Sequence, residues 1–171
     1  MHHSPQNTQK EYLKFFAVLL LVTALAFVHV SWVREYATVS SSYWLQYLDS
    51  FMGVFFVVFG SFKLINLKEF AYGFQSYDVI AKRSLLYSFA YPFMQLIVGF
   101  LYLYGLNAVS LDIFVLVISL VSGYGVLKSL RTRQDVHCVC LGNVIKLPLS
   151  RISFVEDFGM AIMAAIMILN R

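Results

Sequence analysis

Residues 15–33 read FFAVLLLVTALAFVHVSWV, an apolar run of about 19 residues without Asp, Glu, Lys or Arg. At a rise of about 1.5 Å per residue, a helix of this length spans roughly the 30 Å hydrocarbon core of a bilayer. Ala24-Leu25-Ala26 imitates a signal-peptidase site, but the run stays apolar as far as Val33 instead of turning polar. We therefore predict a retained transmembrane helix.

Four further apolar blocks follow along the chain, at about residues 50–67, 84–103, 109–127 and 152–170. Of the 171 residues, 60% are hydrophobic and only 13% are charged, whereas soluble domains have about 25% charged residues. So few charges cannot cover the surface of a soluble fold of this size. The sequence therefore predicts an all-α integral membrane protein, an antiparallel bundle of five transmembrane helices.

The segments between the apolar blocks suggest a domain organisation. We expect residues 1–14 to be a polar, mobile tail, and residues 15–49 to be an extra N-terminal helix with an external loop. Residues 50–170 then form a four-helix membrane domain. Within this domain, the stretch 68–83 carries aromatic residues at helical spacing among polar ones, which is typical of a short helix lying in the membrane interface.

Pro92 and Gly123 give two expectations about packing. Pro92 lies inside the third span, where it removes a backbone hydrogen bond and should kink the helix. Gly123 lies in the fourth span and leaves room for another helix to approach. We expect the third span to pack closely on the fourth near this glycine.

The distribution of basic residues predicts the orientation. Ten of the thirteen Lys and Arg residues fall in the N-terminal tail, in the stretch 68–83 and in the last loop, residues 128–151, which a five-helix topology puts on one side. The positive-inside rule assigns that side to the cytoplasm of a bacterial inner (plasma) membrane. The net charge of +4 then reflects topology and contact with anionic lipid. Nucleic-acid binding is not expected, because no soluble segment mixes basic and aromatic residues.

The clearest candidates for chemistry are Cys138 and Cys140, the only cysteines of the chain, with His137 before them. Two thiols one residue apart can close a small, strained disulfide that is readily reduced. Their thiolates can alternatively hold one soft metal ion such as Cu, Zn or Hg, with His137 as a further ligand. The basic loop and the start of the last helix favour the thiolate. The structural alternative is two inert thiols that the cytoplasm keeps reduced.

Four ionisable residues near the predicted spans are candidates for a supporting role. Glu156 and Asp157 stand at the mouth of the last span, where acidic groups are costly and usually functional. The structural alternative for Glu156 is a capping box with Ser153, in which it only stabilises the start of the last helix. Lys63 and Asp78 could pair inside the bundle. The expectation for both is a position at its surface, with the Lys63 ammonium reaching the headgroups.

Several short motifs resemble the MauE branch of the MauE/DoxX membrane proteins. They are Phe62-Lys63-Leu64, Phe74 with Tyr77-Asp78, Tyr91-Pro92 with Gly99, Cys138-x-Cys140-Leu141-Gly142, Leu147-Pro148 and Glu156-Asp157. The resemblance covers about residues 50–170 and implies a four-helix, redox-associated membrane core. It also implies a link to methylamine utilisation and disulfide maturation, while relatives joined to glutaredoxin-like or heavy-metal-associated domains fit thiol exchange or metal handling. One position departs from the pattern, because Gln95 stands where the resemblance implies an acidic residue.

Three functions remain open at this point. The leading expectation is a thiol-redox protein that uses Cys138 and Cys140 on a partner protein. The second is a soft-metal permease or metal-delivery protein with His137, Cys138 and Cys140 as ligands, and the third is a structural membrane assembly subunit. The sequence contains no hydrolytic triad, phosphate loop or zinc-hydrolase spacing, so any enzymatic activity is expected to be thiol–disulfide exchange. The expected partners are the lipid bilayer and a thiol-redox or metal-carrying protein, with oligomers allowed.

Overall fold

Six α-helices form the described part of the chain, which comprises residues 5–36, 42–106, 108–131 and 149–171 of this computed structural model. Side chains are described for these residues except 5–12, 77, 129–131 and 149–155. The helices are α1 (Pro5–Tyr36), α2 (Tyr43–Ile65), α3 (Leu67–Tyr77), α4 (Leu85–Leu103), α5 (Val109–Arg131) and α6 (Leu149–Asn170). No strand occurs within the described ranges, and the prediction of an all-α membrane protein is confirmed.

Among the described residues, four helices are long and apolar enough to cross a bilayer. They are α1 over Leu13–Tyr36, the whole of α2 and α4, and α5 over Val109–Lys128. These helices match the first four predicted spans. The 22 residues of α6 lie where the fifth span is predicted.

Two helices begin earlier than the apolar runs predict. α2 starts at Tyr43 and takes in a stretch assigned above to the external loop. This stretch is helical because its side chains have packing partners: Leu48 is buried in the main hydrophobic cluster, and Trp44 stacks on Tyr47. α1 starts at Pro5, so part of the expected tail is helical as well.

The amphipathic segment forms a shorter helix than the predicted 68–83. α3 ends at Tyr77, where the backbone N–H of Asp78 donates to the carbonyl of Phe74 at 3.0 Å. Its aromatic face is buried in protein instead of lipid, since Phe70 and Phe74 both pack against the Tyr91 ring of α4. α3 is therefore part of the protein core at one end of the bundle.

The four helices of the core associate as two close pairs. α2 packs along α4 so tightly that a Cβ atom on Gly99 would lie 2.9 Å from the carbonyl oxygen of Gly53. α5 packs along α6, where Gly123 faces the ring of Phe158. The expectation that Gly123 joins the third and fourth spans is therefore wrong, because its neighbour is the last helix. α4 continues through Pro92, and the kink there stays a prediction.

Candidate functional site

Lys63 lies inside the bundle, with only 4% of its surface exposed. Its Nζ donates a hydrogen bond to Oε1 of Gln95 at 2.8 Å and lies 3.9 Å from Oε1 of Glu156. The ammonium also lies over two rings, at 5.5 Å from the centroid of Phe70 and 5.2 Å from that of Tyr91. The expectation of a surface lysine is wrong because α3 follows α2 almost at once, and its Phe70 ring covers the ammonium.

We call Lys63, Tyr91, Gln95, Glu156 and Asp157 the lysine cluster. Tyr91 lines the same cavity as both carboxylates. The structure thus gathers three of the candidate residues around one point, where α2, α4 and α6 meet. The amide oxygen of Gln95 accepts the hydrogen bond from the ammonium, and Glu156 is the carboxylate nearest to it among the described contacts.

A cavity of about 30 Å³ adjoins the lysine cluster between α2, α4, α5 and α6. Its polar lining consists of Tyr91, Gln95, Ser119, Glu156 and Asp157. The remaining lining is apolar and comes from Phe55, Phe56, Met94, Val98, Phe114, Val115, Ile118 and Met160. A partly polar volume of this size is large enough for a water molecule.

Asp78 is also buried, so the expectation of a surface position is wrong for it as well. Its Oδ1 accepts hydrogen bonds from the backbone N–H groups of Ile80 and Ala81 at 2.9 and 2.8 Å. The carboxylate thereby holds the turn between α3 and α4 in shape. Burial raises the pKa of Asp78, against the opposing effects of these two hydrogen bonds and of the Lys82 charge.

His137, Cys138 and Cys140 lie outside the described residues, and the Cys pair stays a prediction. The helices on either side are described: α5 ends at Arg131 and α6 begins at Leu149. Both ends lie at the lysine-cluster end of the bundle, since Glu156 is close to the start of α6. Within the described residues, no three His, Cys, Asp or Glu side chains are grouped so as to hold a metal ion.

A comparison with known families decides where this helical bundle belongs. The family model described as "Methylamine utilisation protein MauE" matches residues 40–170. The chain belongs to the MauE family. Comparisons with curated proteins and with solved structures found no match. The MauE match contains the whole of α2 to α6, and thus the lysine cluster and the cavity, while α1 lies before it.

This MauE protein has a second buried polar cluster, which the sequence analysis does not identify. Arg171 donates from Nη2 to Oδ1 of Asp49, and its Nε forms an ion pair with Oδ2 of Asp112 at 2.8 Å. The hydroxyl of Tyr102 donates to Oδ1 of Asp112 at 2.8 Å. These four residues, the arginine cluster, connect α2, α4, α5 and the end of α6. They lie at the end of the MauE core opposite the lysine cluster.

The sequence holds a signal for only part of the arginine cluster. Asp112 lies inside the predicted span 109–127 and is completely buried, and a carboxylate at membrane depth is costly enough to imply a partner. Asp49 and Arg171 lie just outside the predicted spans and look like loop residues. Their contact joins positions 122 residues apart, so no local pattern points to it.

Proposed function

We propose that this MauE-family protein exchanges thiols and disulfides with a partner protein, with Cys138 and Cys140 as the reacting pair. The observation that carries the proposal is that the only two thiols of the chain stand one residue apart, between the end of α5 and the start of α6. Both of these helix ends lie at the lysine-cluster end of the bundle. Thiols at this spacing react as a unit. The resemblance to MauE proteins linked to disulfide maturation supports the same function.

The proposed exchange conserves electrons and protons. In the direction that reduces the partner, one cysteine thiolate attacks a sulfur of the partner disulfide, and the departing partner thiolate takes up a proton. The second cysteine loses its proton and attacks the cysteine sulfur of the mixed disulfide, so the bond to the partner breaks and the second partner thiolate leaves and takes up a proton. The products are a Cys138–Cys140 disulfide and a partner dithiol, so two electrons pass to the partner. The reverse sequence oxidises the partner.

The charges near Cys138 and Cys140 in the sequence affect how easily their thiolates form. Arg131 and Arg133 favour the anionic thiolate, whereas nearby carboxylates oppose it. Glu156 already interacts with the buried ammonium of Lys63, so its negative charge acts less strongly on its surroundings. This arrangement supports a reactive pair at the start of α6.

We further propose that the pair faces the cytoplasm from a bacterial inner membrane, because the Lys and Arg residues are concentrated on that side. The partner is then a thiol-redox protein that reaches the membrane from the cytoplasm. A membrane-impermeant maleimide tests the orientation in intact cells that carry Cys140 as the only thiol. Labelling should require lysis, and strong labelling of unbroken cells would overturn the orientation.

Single-cysteine variants test the exchange reaction itself. Cys138→Ser and Cys140→Ser each leave one thiol in the whole chain, so a mixed disulfide with the partner forms but cannot be resolved. Non-reducing electrophoresis of membranes should show a reducible adduct in one or both single variants and none in the double variant. If neither single variant forms an adduct and the wild-type thiols never oxidise, the exchange function is refuted.

Soft-metal binding is the competing function for the same residues, and metal analysis of the purified protein distinguishes the two. Bound Cu, Zn or Hg that is lost in both serine variants would favour a metal-delivery protein. His137→Ala should then weaken metal binding less than either serine variant does. Serine variants that keep full activity and unchanged metal content would instead leave the structural membrane subunit as the function.

A further inference from the structure

The turn between α3 and α4, residues 78–84, is held in one conformation by hydrogen bonds and a buried side chain; we call it the Asp78 turn. Oδ1 of Asp78 accepts hydrogen bonds from the backbone N–H groups of Ile80 and Ala81. The N–H of Arg83 donates to the carbonyl of Ile80 at 2.9 Å. Ala81 is completely buried in the hydrophobic cluster that contains the aromatic face of α3. The backbone of the turn is thus fixed, and with it the points from which its outward side chains start.

The outward side of the Asp78 turn combines apolar and basic side chains. Val79 and Ile80 are each more than a third exposed, and Lys82 and Arg83 are exposed as well. Within the described part of the chain, neither basic side chain forms an ion pair or a hydrogen bond. Two cationic groups are therefore available to an external anion beside an apolar surface.

The position of the Asp78 turn next to a spanning helix puts it at the boundary of the bilayer. α4 begins at Leu85, directly after the turn, and Leu86 is 79% exposed. On α3, Tyr72 is 61% exposed and contacts Phe89 of α4 edge-on, with 6.5 Å between the ring centroids. The outer face of α3 thus lies beside the first turns of a spanning helix. Tyrosine, lysine and arginine at such a boundary lie at the depth of the lipid headgroups.

The charge of this surface favours an anionic partner. The exposed charged side chains of residues 67–85 comprise three basic residues and one acidic residue, namely Lys68, Lys82, Arg83 and Glu69. The other carboxylate of this range, Asp78, is buried and accepts hydrogen bonds from the turn itself. An excess of exposed positive charge at headgroup depth attracts anionic phospholipids over zwitterionic ones.

We propose that the Asp78 turn is a binding site for an anionic phospholipid such as phosphatidylglycerol. Arg83 and Lys82 hold the headgroup phosphate, since both supply N–H donors with a positive charge. Val79 and Ile80 lie among the upper carbons of the acyl chains. Asp78 is a positioning residue, because its hydrogen bonds fix the turn that carries all four side chains. The site does not depend on the proposed thiol exchange.

Native mass spectrometry of the full-length protein in detergent measures lipid binding at this site. The added lipid is phosphatidylglycerol or phosphatidylethanolamine with identical acyl chains, and the dissociation constant of the first bound lipid is compared. Arg83→Gln and Lys82→Gln each remove one charge from the turn. The matched control is Arg34→Gln, which removes an exposed charge from the last turn of α1, where Arg34 lies over the Tyr43 ring.

The wild type should bind phosphatidylglycerol more tightly than phosphatidylethanolamine. Each variant of the turn should weaken phosphatidylglycerol binding about fivefold, which corresponds to about 1 kcal/mol, and should affect phosphatidylethanolamine less. Arg34→Gln should leave the binding of both lipids unchanged. Equal affinity of the wild type for the two lipids, or the same loss in Arg34→Gln as in Arg83→Gln, would overturn the site.

A second pair of variants tests the positioning role of Asp78. Asp78→Asn and Asp78→Ala both remove the negative charge, but only asparagine keeps an acceptor for the N–H groups of the turn. Asp78→Ala should therefore bind phosphatidylglycerol more weakly than Asp78→Asn at equal helical content by circular dichroism. If the two variants bind this lipid equally well, the fixed turn is not what presents the basic side chains, and the positioning role is refuted.

Discussion

The contact between Gly99 of α4 and Gly53 of α2 predicts a large effect from a single methyl group. A Cβ on Gly99 would lie 2.9 Å from the Gly53 carbonyl oxygen, 2.9 Å from Cγ2 of Val57 and 3.0 Å from its backbone nitrogen. Two of these atoms are backbone, so α2 must move as a body to make room. Overpacking of this kind costs about 1–3 kcal/mol, while replacing glycine by alanine in a helix returns about 0.5–1 kcal/mol. Because two of the three close atoms are backbone, the cost should lie in the upper half of that range, about 2–3 kcal/mol. We therefore expect Gly99→Ala to lower the free energy of unfolding by about 1–2.5 kcal/mol.

Gly159 of α6 supplies the matched control, because a Cβ there would meet no atom within 4 Å. Gly159→Ala should leave stability unchanged or raise it by up to about 1 kcal/mol. Both variants and the wild type would be unfolded with sodium dodecyl sulfate in mixed micelles and followed by far-ultraviolet circular dichroism. A Gly99→Ala protein as stable as the wild type, or two variants shifted equally, would refute the close approach of α2 and α4.

Three further predictions concern the buried charges. Asp78→Asn should keep the acceptor for the N–H groups of the following turn, whereas Asp78→Ala should lose it and cost about 1 kcal/mol. Because burial raises the pKa of Asp78 in the folded protein, the wild type should lose stability relative to Asp78→Asn as pH rises above about 4, the unfolded pKa; a wild type that keeps or gains stability relative to Asp78→Asn as pH rises would contradict this. Lys63→Met leaves the Glu156 carboxylate buried and should cost about 3 kcal/mol, part of which Glu156→Gln should restore in the double variant. If the double variant is no more stable than Lys63→Met in the same unfolding titration, the two residues do not interact. Arg171→Gln should cost about 3 kcal/mol because the Asp112 carboxylate stays buried, and Arg171→Lys should recover little since only arginine contacts two carboxylates at once; full recovery by lysine would argue against that dual contact.

The membrane-spanning helices are largely predictable because a span is a local property of the sequence. A run such as residues 15–33 must be helical in lipid to satisfy its own backbone, whatever its neighbours are. Helix starts are less predictable: the first turns of α2 contain polar residues such as Gln46 and Asp49, whose burial depends on other helices. The orientation and the Cys pair rest on sequence patterns and remain predictions.

The candidate site is predictable only in part because its geometry depends on tertiary contacts. Glu156 and Asp157 stand out in the sequence as carboxylates at the mouth of a span. Lys63 does not, because snorkelling to the headgroups is the usual fate of a lysine one turn from a helix end. Phe70 on the aromatic face of α3 covers the Lys63 ammonium, and the hydropathy of α2 does not indicate this contact. The arginine cluster is harder still, since its members come from the ends of different helices.

The division of the buried charges between the two helix pairs has a consequence for how the protein is made. The N-terminal pair, α2 with α4, carries Lys63 and Asp49 into the bilayer, and the C-terminal pair brings Glu156, Asp112 and Arg171. Asp112 and Arg171 form an ion pair within the C-terminal pair, whereas Lys63 and Asp49 meet their ionic partners only when the two pairs dock. Docking of the two halves is therefore the step of assembly at which the Lys63 and Asp49 charges gain their partners.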